Sequence, residues 1–175
     1  MTVLMSLMIG CEVEALVGVE CLELTEVATN PTVLLWRTAD CAFQEVPGDT
    51  GLAARPDWIE VCNPSRFPIR SRGYLLALDP GDNPYAPDPL IVPDTELAPG
   101  ECLVVVGIPN QVGLCSEIAN FDLDKELGAN LHLELEGLCY DSTRFVELLP
   151  GMTWSRDGGE WHRESVPTPM RAVLP

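Results

Sequence analysis

The sequence predicts an all-β fold in which two antiparallel sheets pack face to face as a β-sandwich. Residues 57–62 alternate in polarity and then break on Asn63-Pro64, which is typical of a strand that ends in a turn. Leucines at every second position of residues 131–135 give the clearest strand pattern in the chain. No segment combines sustained helical periodicity with helix caps, so we expect the strands to follow one another without helices between them.

The first two strands are expected at residues 22–25 and 58–61. The first alternates in polarity, and the chain then reaches the breaker pair Asn30-Pro31. In the second, the two aliphatic side chains point one way while Trp58 and Glu60 point the other. This pattern predicts a strand that is buried on one face only.

The third strand is expected at residues 73–78, and a long proline-rich stretch follows it at residues 80–93. Proline donates no backbone hydrogen bond and is excluded from the interior of helices and sheets. We therefore expect an exposed loop over these residues, and it contains Pro84, Pro87, Pro89 and Pro93.

The second half of the domain supplies the central strand and two hairpins. Residues 102–106 form a continuous apolar run, which predicts a strand in the middle of a sheet. Residues 131–135 and 138–146 are expected to pair as a hairpin through Gly137. A last turn is expected between Trp154 and Trp161.

The net charge restricts the partners. The chain carries 27 acidic and 10 basic residues, a net charge of −17. Nucleic acids and anionic membranes are bound through clustered Lys and Arg, so both are disfavoured as partners. Four arginines bracket the strand at 58–61. They form either a small positive patch or scattered partners for the excess of carboxylates, and the second interpretation is favoured. The four are Arg55, Arg66, Arg70 and Arg72.

Six of the seven cysteines are expected to form three disulfides, with fifteen possible pairings. Their spacing contains no Cys-x-x-Cys pair, so no metal site is expected. Disulfides indicate an oxidising compartment; the alternative is that some of these cysteines are small buried apolar residues in a reduced protein. The six are Cys21, Cys41, Cys62, Cys102, Cys115 and Cys139.

The seventh cysteine, Cys11, follows an apolar stretch at residues 1–9 and precedes an acidic segment. This junction resembles a bacterial lipobox, which implies lipidation of Cys11 and a signal segment at residues 1–10. No Lys or Arg precedes the apolar stretch, and Met8 stands where Leu is usual. The alternative is that residues 1–9 form a first strand or a buried tail.

Several short segments, in their order, resemble the lamin-tail domain family. They include Asn63-Pro64, residues 97–100, residues 131–133 and residues 154–158, and the resemblance spans about residues 22–170. It implies an immunoglobulin-like β-sandwich that displays binding surfaces in secreted or surface proteins. The chain departs from the family pattern in its long connection at residues 32–56 and in Met170 after the last Thr-Pro.

The expected domain organisation follows from these assignments. A signal segment (1–10) and an acidic spacer (11–20) precede the lamin-tail-like sandwich (21–170) and a C-terminal tail (171–175). No catalytic residue and no cofactor are expected, because the chain has only His132 and His162 and lacks the common nucleophile and phosphate-loop motifs.

Two other kinds of ligand site are weighed and disfavoured. Acidic residues in two loops could hold Ca²⁺, but Asp beside Gly and Pro is also typical of turns, which is the favoured interpretation. They are Asp79, Asp82, Asp88, Asp122 and Asp124. Trp58, Trp154 and Trp161 could form a binding platform, but packing at the core or the sheet edges is favoured.

The expected function is that of a non-catalytic binding module of the bacterial cell envelope or exterior, anchored in the membrane through Cys11. A protein or a cell-surface polymer is the expected partner, and nucleic acid is not; the oligomeric state is left open. An accessory substrate-binding subunit of a secreted hydrolase is the main alternative, and a nucleic-acid-binding domain is a weaker one.

Intact-mass spectrometry of the protein isolated from its membrane, before and after reduction, tests the cysteine assignments. We expect the chain to begin at an acylated Cys11 and to gain six thiols on reduction. Six free thiols before reduction on an unprocessed chain would contradict the proposed compartment.

Overall fold

The structure, a computed structural model, describes most of the predicted domain. The described residues are 19–29, 34–37, 42–45, 56–79, 89–107, 118–119, 123, 128–145, 148–149 and 152–164, with the backbone alone at 34–37, 42–45 and 118–119. Cys11, Cys41, Cys115 and most of the proline-rich loop lie outside these residues.

The described residues form fourteen strands and no helix. The strands are β1 (Glu23–Ala28), β2 (Leu34–Arg37), β3 (Ala42–Glu45), β4 (Asp57–Cys62), β5 (Ile69–Arg70), β6 (Leu75–Leu78), β7 (Leu90–Ile91), β8 (Glu96–Leu97), β9 (Cys102–Gly107), β10 (Ile118–Ala119), β11 (Ala129–Leu135), β12 (Cys139–Phe145), β13 (Thr153–Asp157) and β14 (Glu160–Glu164).

Two main sheets pack together as a β-sandwich, which confirms the predicted fold class. The larger has the order β10-β9-β4-β1-β13-β14 and the smaller the order β12-β11-β6-β7. All pairings are antiparallel except that of β9 with β10. Two short ribbons, β2-β3 and β5-β8, complete the described topology.

The core lies between the two sheets and is built from alternate residues of each. The larger sheet contributes Leu24, Val27, Ile59, Val61, Leu103 and Val105, and the smaller sheet contributes Leu76, Leu78, Leu131, Leu133 and Phe145. Each fully buried aliphatic or aromatic side chain stabilises the fold by about 1.5–3 kcal/mol. The leucine alternation of residues 131–135 is therefore confirmed as the core-facing row of β11, with Leu135 at its margin.

Strand β4 is buried on both faces, so the predicted half-buried strand is wrong. All six residues of β4 are buried, and Trp58, Glu60 and Cys62 lie on the face directed away from the core. Alternating polarity indicates which residues share a face, but it does not report whether a polar face is covered. The predicted central position of residues 102–106 is confirmed, since β9 lies between β4 and β10.

The end of the proline-rich stretch is not a loop. Leu90–Ile91 forms β7, the edge strand of the smaller sheet, and Val92 is fully buried. Proline is tolerated beside an edge strand because one side of such a strand needs no donors. Pro89 and Pro93 flank β7 on either side, which is compatible with a two-residue edge strand.

The side chain of Asn63 fastens the turn after β4 to the segment before β9. Its Nδ2 donates to the carbonyls of Phe67 and Leu97, both at 2.8 Å, and its Oδ1 accepts from the amide of Ser65. The backbone amide of Gly100 donates to the carbonyl of Asn63 at 2.8 Å. Two of the segments that resemble the lamin-tail family therefore meet in space, in a packing role.

Strand β12 joins the two sheets through polar contacts with the larger sheet. Asp141 Oδ2 accepts from the Leu24 amide at 2.8 Å and from Arg156 Nη1 at 2.9 Å. Trp154 Nε1 donates to Thr143 Oγ1 at 3.0 Å. We call these contacts, together with the disulfide described below between the start of the domain and β12, the seam.

The structure predicts a large loss of stability for Asn63→Ala. Asn63 is fully buried, and the substitution removes its hydrogen bonds to the Leu97 carbonyl and the Ser65 amide, while the Phe67 carbonyl keeps only its bond from the Ser65 hydroxyl. We expect a loss of about 3 kcal/mol in the free energy of unfolding, measured by urea titration. The exposed Glu136→Ala serves as the control, with a change within about 0.5 kcal/mol. Equal stabilities of the two variants would refute this role for Asn63.

Candidate functional site

The outer face of the smaller sheet is the described surface best suited to binding. Strand alternation directs one set of side chains from its four strands away from the core. We call this set the outer face, and it consists of Leu75, Ala77, Ile91, Asn130, His132, Glu134, Tyr140, Ser142 and Arg144. Ile91 and Tyr140 are its two exposed large hydrophobic residues, at 74% and 65%.

Tyr140 is held in position by His132. The Tyr140 hydroxyl lies 2.6 Å from His132 Nδ1, and the ring centroids are 5.7 Å apart at an angle of 30°. The two residues sit on neighbouring strands, where Tyr140 is directly opposite Glu134 and His132 is opposite Ser142. An exposed aromatic ring is thereby fixed beside a carboxylate.

A shallow hollow of about 270 Å³ lies at the hairpin end of the outer face. We call it the hairpin hollow, and its lining residues are Glu134, Leu135, Gly137, Leu138, Cys139 and Tyr140. Gly137 makes the turn with a φ of +69°, a conformation that residues with a Cβ adopt only with strain. The hairpin turn thus contributes Gly137 and Leu138 to the lining of the hollow.

One of the lining residues of the hollow, Cys139, is held by a disulfide. Cys139, on the core side of β12, is bonded to Cys21 at the start of the domain, across 118 residues of sequence. The buried Tyr74 hydroxyl donates to Cys139 Sγ at 3.2 Å and accepts from the Leu22 amide at 3.1 Å. Burial raises the pKa of Tyr74, so the phenol stays protonated and keeps its donor.

A second disulfide joins Cys62 to Cys102, which face each other across β4 and β9. Four of the six cysteines expected in bridges are thus paired. Cys41 and Cys115, as well as the predicted lipidation site Cys11, lie outside the described residues. Of the three predicted disulfides, two are therefore seen within the described residues.

Glu60, Cys62 and Cys102 form the one group of potential metal ligands that converges within the described residues. Their ligand atoms lie within 4.8 Å of one another, and all three residues are buried. The two sulfurs are bonded to each other, however, and metals bind the thiolate rather than the disulfide. We therefore interpret this group as a buried bridge beside a carboxylate.

The two histidines lie in separate sheets and contact different partners. His132 belongs to the outer face, while His162 Nε2 lies 2.9 Å from Glu164 Oε1 on β14. Of the loop aspartates weighed for Ca²⁺, only Asp79 is among the described residues. Arg70 forms a bidentate ion pair with Asp94, which supports the interpretation of the arginines as partners of carboxylates.

The tryptophans pack as structural residues, as the sequence favoured. Trp58 is fully buried, and Trp154 and Trp161 stack with their centroids 6.4 Å apart while packing against the core. Among the described residues two aromatic side chains are exposed instead, Phe67 and Tyr140, and the sequence analysis singled out neither; the one on the outer face is Tyr140. Its signal was available, because Tyr140 takes the polar-face position of a strand whose Cys139 and Phe145 point inwards.

Comparison with known proteins gives no relative for this chain. No family model matches it, and neither a curated protein nor a solved structure does. In the part of the chain that the structure describes, no helix is long and apolar enough to cross a membrane.

The contact between His162 and Glu164 predicts a measurable pH response. The hydrogen bond to Glu164 raises the pKa of His162 above its ordinary value of 6.5 and outweighs the opposing effect of desolvation. A raised folded-state pKa means that the pair stabilises the fold fully below pH 6.5, and that this contribution is lost as the pH rises through the raised pKa.

We expect an NMR titration of His162 to give a midpoint above 6.5 that falls toward the ordinary value in Glu164→Gln. Because Glu134 lies on the other sheet, Glu134→Gln is the matched control and should leave the His162 midpoint unchanged. A His162 midpoint that is the same with and without the Glu164 carboxylate would refute the assignment.

Proposed function

We propose that this protein is a non-catalytic binding module of the bacterial cell envelope, anchored through a lipidated Cys11, and that its outer face contacts a protein or a cell-surface polymer. The exposed pair formed by Tyr140 and His132 carries the proposal. An aromatic ring with 65% of its surface exposed is held in one position by a hydrogen bond. Such a ring offers contact area at low entropic cost on binding.

The disulfides support an extracytoplasmic location. The Cys21–Cys139 and Cys62–Cys102 bridges close long loops of the chain, and such bridges stabilise by about 2–4 kcal/mol each. They persist in oxidising compartments and are rare in reducing ones. Acylation at Cys11 with more than one chain would provide stable attachment to a membrane.

The lamin-tail assignment is part of the same proposal. Its support is the two-sheet β-sandwich, together with the contact between Asn63 and Gly100 from two of the resembling segments. A sandwich of this kind presents sheet faces and loops to partners. His132 and His162 lie on different sheets and do not converge on one site, which supports a binding role over acid–base catalysis by a histidine pair.

Co-sedimentation of the purified protein with intact bacterial cells that do not produce this protein tests the proposal. The protein is exported as a soluble Cys11→Ser form with its disulfides intact and carries a fluorescent label. We expect saturable binding that weakens about tenfold in Tyr140→Ala, which corresponds to about 1.4 kcal/mol.

Phe67→Ala is the matched control, since Phe67 is 64% exposed but lies away from the outer face, in the turn after β4. Its binding should equal that of the parent protein. Thermal melts of all three proteins establish that they are folded. Absence of saturable binding, or equal weakening by both substitutions, would overturn the proposal.

A further inference from the structure

We propose that the hairpin hollow is a subsite for one sugar ring of a neutral polysaccharide, with Tyr140 stacking against the ring and Glu134 accepting its hydroxyls. This inference rests on the proposed function, because it names the ligand class of the same surface.

The position of Tyr140 suits the apolar side of a pyranose. A sugar ring presents C–H groups on its faces and hydroxyls around its edge, and an aromatic face is complementary to the C–H groups. The Tyr140 ring is exposed but restrained, because its hydroxyl is bound to His132 Nδ1 at 2.6 Å. Little side-chain freedom is therefore lost when a ligand stacks on it.

Glu134 supplies the polar part of the subsite. It is the direct cross-strand neighbour of Tyr140, and both residues line the hollow. An ionised carboxylate only accepts hydrogen bonds and has two oxygens, so it can bind two adjacent hydroxyls of a sugar. A hydroxyl-rich ring seated on Tyr140 thus meets an acceptor at its edge.

The size of the hollow suits one ring of a longer chain. Its volume of about 270 Å³ is just below the ~300–1,000 Å³ typical of pockets that enclose a drug-sized molecule. It also lies at one end of the outer face, where His132 and Ser142 continue the polar surface. A polysaccharide chain can leave the hollow over these residues.

The distribution of apolar residues favours a polysaccharide over a protein partner. Tyr140 and Ile91 lie on the two outermost strands of the smaller sheet, three strand spacings or about 14 Å apart. The cross-strand row that joins them runs through Glu134 and Leu75, so a carboxylate separates the Tyr140 ring from the apolar pair of Leu75 and Ile91. Protein interfaces gather their apolar residues at the centre and place polar residues at the rim, whereas on this face a carboxylate divides the apolar residues.

Charge selects a neutral polysaccharide over an anionic one. The protein carries a net charge of −17 and would repel a polyanion at long range. Within the outer face, the carboxylate of Glu134 is accompanied by the guanidinium of Arg144, so the face itself has no strong excess of either sign. A neutral ligand meets no electrostatic penalty there.

Affinity electrophoresis of the folded Cys11→Ser protein tests the inference. Native gels contain hydroxyethylcellulose, dextran or galactomannan as neutral polysaccharides, or alginate as the polyanion. We expect retardation by at least one neutral polysaccharide and none by alginate. In the retarding gel, Tyr140→Ala and Glu134→Gln should each weaken binding about tenfold, whereas Phe67→Ala should have no effect.

The variant Tyr140→Phe separates stacking on the ligand from the structural role of Tyr140, because it keeps the aromatic ring and removes the hydrogen bond to His132. We expect this variant to bind about threefold more weakly than the parent, and so more tightly than Tyr140→Ala. Retardation by alginate, no retardation by any neutral polysaccharide, or retardation insensitive to Tyr140→Ala would overturn the inference.

The two proposals fail differently. If cell binding is lost in Tyr140→Ala and after protease treatment of the cells while no gel retards the protein, the binding module stands and its ligand is a protein. If neither cells nor polysaccharides bind the protein, both proposals are wrong.

Discussion

The packing of the two sheets depends on how strand β12 satisfies the polar groups at the start of the domain. Strand β13 pairs with β1 only from Glu26 to Ala28, so the Leu24 amide precedes this ladder and donates instead to Asp141. A register shift between Leu24 and Glu26 on the β4 side accompanies this change of partner. A buried amide without an acceptor would cost about 1–3 kcal/mol, so the position of Asp141 sets where the sheets can meet.

The seam also determines the shape of the outer face. Asp141 and Cys139 point inwards and are bonded to the larger sheet and to Cys21, while Tyr140 between them points outwards. Fixing the inward residues fixes the ring on the opposite side of the strand, because neighbouring side chains alternate across a strand. The same hairpin then needs Gly137 at a positive φ to close the turn. A binding surface is thereby placed on a strand whose other side is covalently tied to the core.

Sequence periodicity predicted the sandwich and strands β9, β11 and β12, because these depend on side chains a few residues apart, and the general tendency of tryptophans to pack predicted the structural packing of Trp154 and Trp161. Periodicity placed β4 as a strand but failed for the burial of its second face, and it failed for β7. The cover over Glu60 and the edge position of Leu90–Ile91 depend on residues distant in the chain. The pairing of Cys21 with Cys139 and the meeting of Tyr140, His132 and Glu134 likewise depend on strand register, which the sequence does not specify. Composition set the sign of the charge but did not indicate which face is exposed.

Hydrogen exchange of the Leu24 amide in the parent protein and in Asp141→Ala tests the dependence on the seam most directly. When the carboxylate is removed, we expect the protection factor of the Leu24 amide to fall at least about tenfold. The amides of β12 should also exchange faster in this variant. Unchanged protection of Leu24 in Asp141→Ala would contradict the account, since the two sheets would then be held together without this contact.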